Sequence, residues 1–156
     1  MKAVLQRVAR AAVHIQGRTH SKIGRGQLIL LGVEKIDRDQ HADSLARKAW
    51  ELRIFDDPAG KMNLSAQAVG GAFLVVSQFT LLADLRRGRR PSFEPAAPPE
   101  QAAPLYERFV RTLRACGAEV QTGVFGARME IELINDGPVT LILETPNDAR
   151  RDPVDR

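Results

Sequence analysis

Residues 26–34, "GQLILLGVE", hold Leu28, Ile29, Leu30 and Leu31 in succession between glycines. The run is too short and too continuously apolar for a surface element, so it reads as a central strand of a sheet. The segment before it, "AVLQRVARAAVHIQ", alternates at Val4, Gln6, Val8 and again at Val13, Ile15. A "GR" turn and "THSKIG" follow, which predicts half-buried antiparallel pairing. In "DRDQHADSLARKAWELRIF", Leu45, Ala49 and Leu52 fall at helical spacing, giving an amphipathic helix that begins near Asp39. The Pro58 and Gly60 stretch "DDPAGKMNLS" is a turn-rich connection. A second helix, "EQAAPLYERFVRTLRACG", is entered at Pro98 and Pro99 and ended by Gly117, with Pro104 as an early kink or as its true start. Strands "AEVQTGVF", "RMEIELIND" and "PVTLILET" complete the pattern. The sum is an α+β domain, a mixed and largely antiparallel sheet with two main helices, spanning residues 1–145. The terminal "PNDARRDPVDR", 146–156, is expected to be a flexible tail.

Composition narrows the function. A single cysteine, Cys116, forbids an internal disulfide and fits a reducing cytoplasm. No charge-free apolar run is long enough for a bilayer, and Arg7 and Arg10 interrupt the opening residues where a signal peptide needs an unbroken apolar core. His14 and His20 can face each other across a hairpin, but no third ligand lies near them, so no metal or other cofactor is expected. The glycines of "GRGQLILLG" precede a strand instead of joining strand to helix, which argues against a phosphate cradle of the usual kind. The net charge of +4 favours an anionic partner. Four arginines, Arg86, Arg87, Arg89 and Arg90, crowd the loop "LRRGRRPSF". A solvated loop is the plain reading; a grip on phosphates is the functional one, and the place of the loop, just after an unusual polar strand end, favours it.

That strand end is "AFLVVSQFTLLAD", where Ser77, Gln78 and Thr80 interrupt an apolar run. Their hydroxyls and amide can serve a developing oxyanion, and Phe79 can stack on a base or fill core. Strand alternation sends Gln78 and Thr80 to one face and Ser77 and Phe79 to the other unless the chain bends; a polar but satisfied strand end is the equal alternative. A second element, "NDGPVTLILE", reads plainly as a turn feeding the last strand. Its Gly137–Pro138 bond is of the kind that adopts cis at modest cost, and such a turn can present rigid backbone acceptors.

Together "SQFT" and "NDGPVT", with "LQRV", "GQLILLGVEK", "RIFDDPAGKMNLS", "GGAFLVVSQFTL", "RRPSF", "PLYERFV" and "QTGVFGARMEIELINDGPVT", resemble the D-aminoacyl-tRNA deacylase family over nearly the whole chain. The arginine-rich loop and the residues beyond Thr145 depart from the pattern. The resemblance implies a barrel-like core and a cytoplasmic homodimer acting on the 3′-terminal adenosine end of aminoacyl-tRNA. By resemblance Ser77, Gln78, Phe79 and Thr80 line the pocket of one subunit, and Gly137 and Pro138 reach in from the other. Arg7 holds that turn, and Ala102, Phe125 and Met129 surround the adenosine. The implied reaction is hydrolysis of the ester of D-aminoacyl-tRNA, and of glycyl-tRNA mischarged on tRNA(Ala), with L-amino acids excluded by backbone at the Gly-Pro turn. An aminoacyl ester is already reactive, so positioning and oxyanion stabilisation suffice; either Thr80 or the substrate's 2′-hydroxyl drives the attack. Two rivals are a generic small-ester hydrolase and a non-catalytic RNA-binding dimer.

Overall fold

In the computed structural model, which describes residues 1–86 and 88–146, the first strand organises the rest. Arg87 and the tail residues 147–156 lie outside the described residues. Strand β1 (Lys2–Ile15) pairs antiparallel with β2 (Arg18–Ile23) along its second half and with β3 (Gly26–Gly32) along its first. Its other edge pairs with β8 (Glu130–Glu144). From β3 the sheet continues in parallel through β6 (Ala72–Ser77) to β7 (Val120–Thr122). The Ser21 hydroxyl of β2 donates to the Thr122 carbonyl of β7 at 2.8 Å, bringing the two ends of the path together into a nearly closed barrel. The β1–β2 turn centres on Gln16 and Gly17, both at positive φ, one residue earlier than the expected "GR". Two positive φ values match the right-handed twist of a hairpin.

The continuous apolar run of β3 follows from its two covered faces. Ile29 and Leu31 join Leu5, Phe73 and Val75 against α1 (Asp39–Glu51) and α3 (Pro99–Ala115), while Leu28 turns the other way to meet Val8, Val13, Leu74 and Val76 inside the curl. Each of these large side chains contributes about 1.5–3 kcal/mol by leaving water. The helices are clasped to each other by Arg108, whose guanidinium donates to both carboxylate oxygens of Asp43 at 2.9 and 2.7 Å. Thr112 adds a third bond to Asp43 at 2.8 Å. The Arg108 bonds hold the Asp43 carboxyl down at about 2.

Pro104 neither starts nor breaks α3. The helix begins at Pro99, with Pro98 as its N-cap, and runs through Pro104 on its exposed side while Leu105, Phe109 and Leu113 stay buried. Between α1 and β6 lie the short hairpin β4 (Phe55–Asp56) and β5 (Met62–Leu64) and a single turn of helix, α2 (Ala66–Val69), which the sequence pattern did not announce. The largest departure concerns the last strands. What reads as two strands joined by a turn is one strand, β8, with a bulge: Thr140 pairs with Gln6 and Asn135 with Val8, so residues 136–139 stand opposite Arg7 alone. Among the described residues no helix is long and apolar enough to cross a membrane.

Candidate active site

Strand β6 ends at Ser77, and the chain turns into a 3₁₀ helix over Phe79–Leu82. Gln78 keeps a last sheet bond, its N–H donating to the Leu31 carbonyl at 2.8 Å. Strand alternation therefore stops at Ser77. Gln78 and Thr80 do not share a strand face; they meet across the turn, where the Gln78 amide Nε2 donates to Thr80 Oγ1 at 2.5 Å. With its oxygen so engaged, the Thr80 hydroxyl proton is left to be given outward. The backbone N–H groups of Phe79 and Thr80 open the turn and find no acceptor among the described residues. Buried Leu82 anchors the turn from below.

A cavity of about 570 Å³ opens at this strand end, lined by Ser77, Gln78 and Phe79 together with Ala102, Phe125 and Met129, while Thr80, expected in the lining, stands exposed outside it because the chain turns away after Ser77. Its walls are largely apolar, which suits a flat base with polar groups gathered at one end. Phe79 is 54% exposed and sits at the rim, edge-on to Phe93 at 5.0 Å between ring centroids. It is neither core nor loose. Phe125 is backed by Tyr106, 6.1 Å away centroid to centroid. The Tyr106 hydroxyl donates to the Val75 carbonyl at 2.7 Å, and burial pushes its pKa up to about 12. It is a fixed neutral donor that ties α3 to the strand feeding the site. The sequence pattern marked Tyr106 only as part of a helix; its spacing with Phe109 on one apolar face was the available signal. The small side chains Ala96 and Ala97 also form wall, though the "PAAPPE" stretch reads only as an irregular crossover.

Arg7, Gly137 and Pro138 form a separate cluster. Arg7 is buried, with Nε donating to the Asp136 carbonyl at 2.9 Å and Nη1 to the Ile54 carbonyl at 2.7 Å. Asp56 takes a further bond at 3.2 Å. The Asn135 side chain closes the base of the bulge, accepting from Val139 N–H at 2.9 Å and donating to Thr140 Oγ1 at 3.1 Å. Gly137 has φ +140, and a Cβ there would meet the Val139 side chain at 2.8 Å and Arg7 Nη2 at 3.1 Å. Only glycine fits. The Gly137–Pro138 bond is cis, and both residues are exposed. Neither lines the cavity of its own chain. Asn135 is the residue that sequence reasoning passed over here; it was read as part of a turn.

The arginine loop is pinched at its base by paired backbone bonds between Asp84 and Ser92, 2.7 and 3.0 Å. Arg86 spends Nε and Nη2 on the Asp84 carboxylate at 2.9 and 2.7 Å, which holds that carboxyl down at about 2. Arg89 and Arg90 are exposed. None of the three lines the cavity. His14, on the hairpin, is bonded to Glu132 and Thr19 at 3.3 and 3.2 Å.

The family model described as D-Tyr-tRNA(Tyr) deacylase matches residues 4–144. The D-aminoacyl-tRNA deacylase of Geotalea uraniireducens (strain Rf4) is 56% identical over 151 residues, covering 97% of each chain. That of Anaeromyxobacter dehalogenans (strain 2CP-C) is 57% identical over 145 residues, 93% of this chain and 97% of the relative. A solved structure described as a c-Myc DNA Unwinding Element Binding Protein superposes with a TM-score of 0.89 at 41% identity, covering 94% of this chain and all of that one. A probable eukaryotic D-amino acid tRNA deacylase shares the fold, with a TM-score of 0.78 at 18% identity over 91% of this chain and 97% of its own. By these matches the chain is an enzyme that hydrolyses ester bonds. It belongs to the D-aminoacyl-tRNA deacylase family.

Proposed function

We propose that the chain works as a chiral proofreader of translation in the cytoplasm. As a homodimer it cleaves the ester at the 3′ end of D-aminoacyl-tRNA, and of glycyl-tRNA mischarged on tRNA(Ala), to release amino acid and tRNA. The observation that carries this reading is the separation of the two clusters. Gly137 and Pro138 stand exposed on a bulge braced by Arg7 and Asn135, yet line no part of their own cavity. A second copy gives that bulge something to close. In the assembled site the cavity seats the terminal adenosine against Phe125, Ala102 and Met129, and the ester carbonyl lies over the turn at Phe79 and Thr80.

The unpaired N–H groups of Phe79 and Thr80 then stabilise the oxyanion as water attacks the ester carbon, and preorganised donors of this kind lower the barrier without reorganising. Thr80 acts as a proton donor in this scheme and not as the nucleophile, because the amide of Gln78 that contacts its oxygen is no base. The substrate's 2′-hydroxyl orients the water. The partner's Gly-Pro turn sits against the α-carbon, so an L side chain meets backbone while a D side chain or a hydrogen does not. Rejection by clash outperforms selection for an extra methylene, which is worth only about 1–3 kcal/mol.

The test is the release rate of D-tyrosine, L-tyrosine and glycine from their tRNAs at equal low enzyme. D-Tyrosine and glycine are expected to leave quickly with L-tyrosine retained. Equal D and L rates would sink the Gly-Pro filter. Free D-amino acid esters cleaved as fast as the tRNA esters would favour the generic hydrolase, and RNA binding without any release would return the chain to the RNA-binding reading.

A further inference from the structure

We propose that Arg128 binds the phosphodiester joining the last two nucleotides of the substrate's 3′ end, an inference that rests on reading the cavity as the seat of the terminal adenosine. Of the residues that line the cavity, Arg128 alone is charged. It is exposed and follows a tight turn in which Ala127 N–H donates to the Val124 carbonyl at 3.1 Å and Gly126 takes φ +77. The next residue, Met129, lines the same cavity and accepts from Val124 N–H at 3.4 Å, so the turn is closed on itself beside the wall.

Arg128 combines a place in the cavity lining with donors that no described group takes, a combination found at no other arginine among the described residues. Arg86 is held by Asp84, Arg108 by Asp43 and Asp39, Arg10 by Glu132, and Arg7 by Asp136 and Asp56. No carboxylate pairs with Arg128 among the described residues. Arg89 and Arg90 are exposed as well, but they lie on the loop outside the cavity lining and would meet phosphates farther along the strand.

A nucleoside ester seated in an apolar cavity carries its nearest negative charge one ribose away, on the 5′ side, at the mouth. That phosphate loses part of its water as the base enters, and an unpaired cation at the rim offsets the loss. Guanidinium suits the task because its fork of N–H donors matches two phosphate oxygens at once, which an ammonium does not. Arg128 is thus a substrate-binding residue that touches no reacting atom, and its effect falls on KM and not on kcat.

The experiment compares three D-tyrosyl esters that share the reacting end: the intact tRNA, the dinucleotide CpA with one phosphodiester, and adenosine with none. For each, kcat and KM are measured with the unsubstituted enzyme, Arg128→Ala and Arg128→Lys. The preference in kcat/KM for the CpA ester over the adenosine ester is expected to fall about tenfold in Arg128→Ala, the scale of one charge-assisted contact, and to return in part in Arg128→Lys. Because the readout is a ratio within one variant, partial misfolding does not move it. An unchanged ratio overturns the proposal while leaving the adenosine reading intact. If the unsubstituted enzyme cleaves the tRNA ester but shows no preference between CpA and adenosine, the phosphate has no site and the proposal falls. Failure of the unsubstituted enzyme to cleave any of the three overturns the adenosine reading itself, and the inference with it.

Discussion

The turn at Ser77–Thr80 and the bulge at Asp136–Val139 interrupt strands in opposite ways. At the first, polar groups are left over: two backbone N–H groups and the Thr80 hydroxyl proton have no acceptor among the described residues. At the second, the backbone on both sides of the exposed Gly137 and Pro138 is held, Asp136 by Arg7 and Val139 by Asn135. Unpaired donors are what a site needs in order to receive charge, whereas a bulge braced on both sides holds one shape against whatever is pushed onto it. On the function proposed above, the contrast separates the groups that act on a substrate from those that refuse one.

Arg7→Met is the strongest way to break the comparison. It leaves the Asp136 and Ile54 carbonyls short of a charged donor in a buried place, and a loss of about 3 kcal/mol in urea-unfolding stability is expected. A stability change under about 0.5 kcal/mol would mean that the bulge holds itself and that Arg7 is incidental. Thr80→Ala should do the reverse, lowering kcat about 10- to 100-fold with the unfolding midpoint nearly unchanged. Abolished activity in a folded Thr80→Ala protein would make Thr80 the nucleophile. Tyr106→Phe tests the support of the cavity wall. The Val75 carbonyl keeps its bond from Gly123 N–H at 3.2 Å, so the cost is expected to be only about 1 kcal/mol by thermal unfolding.

The smallest effect lies away from both regions and serves as a control. The Asp43 pKa falls from 3.8 to about 2 on folding, so its contribution is complete above 3.8 and is lost as pH falls toward 2. Solvent screening of this half-exposed pair leaves about 1 kcal/mol or less. Asp43→Asn should therefore melt lower than the unsubstituted protein at pH 6, the two should converge near pH 2, and deacylation at neutral pH should be equal. A gap that persists at pH 2 would place the contribution in packing and not in the charge.

Much of this was legible before any coordinates. An unbroken apolar run placed β3 at the centre and helical spacing placed α1 at Asp39, because burial on two faces leaves a continuous trace in the chain and burial on one face a periodic one. Pro98 and Pro99 marked the entry to α3 for an equally local reason, their missing N–H and preset φ. The "SQFT" stretch declared itself by putting polar groups where an apolar run was unfinished. Other features left no such trace. The bulge reads as a turn because Asn-Asp-Gly-Pro carries turn chemistry whether the flanking strands separate or continue as one. Tyr106 is an ordinary residue made important by Val75, distant in sequence, and Asn135 by Val139 and Thr140, which the bulge folds back onto it.

The sequence by itself determined β1, β2, β3, β6 and β7, the two main helices, the Ser-Gln-Phe-Thr and Gly-Pro elements and, through them, the family, since each rests on residues adjacent or nearly adjacent along the chain. Only the tertiary structure decided that β8 is one strand curled along the whole of β1, that Gln78 bonds to Thr80 across a turn, that Arg128 stands unpaired at the cavity while Arg86 is occupied, and that the Gly-Pro bulge lies apart from the cavity of its own chain. The Gln78–Thr80 bond depends on where the strand ends and the others on which distant groups meet when the sheet closes, and spacing along a chain encodes neither.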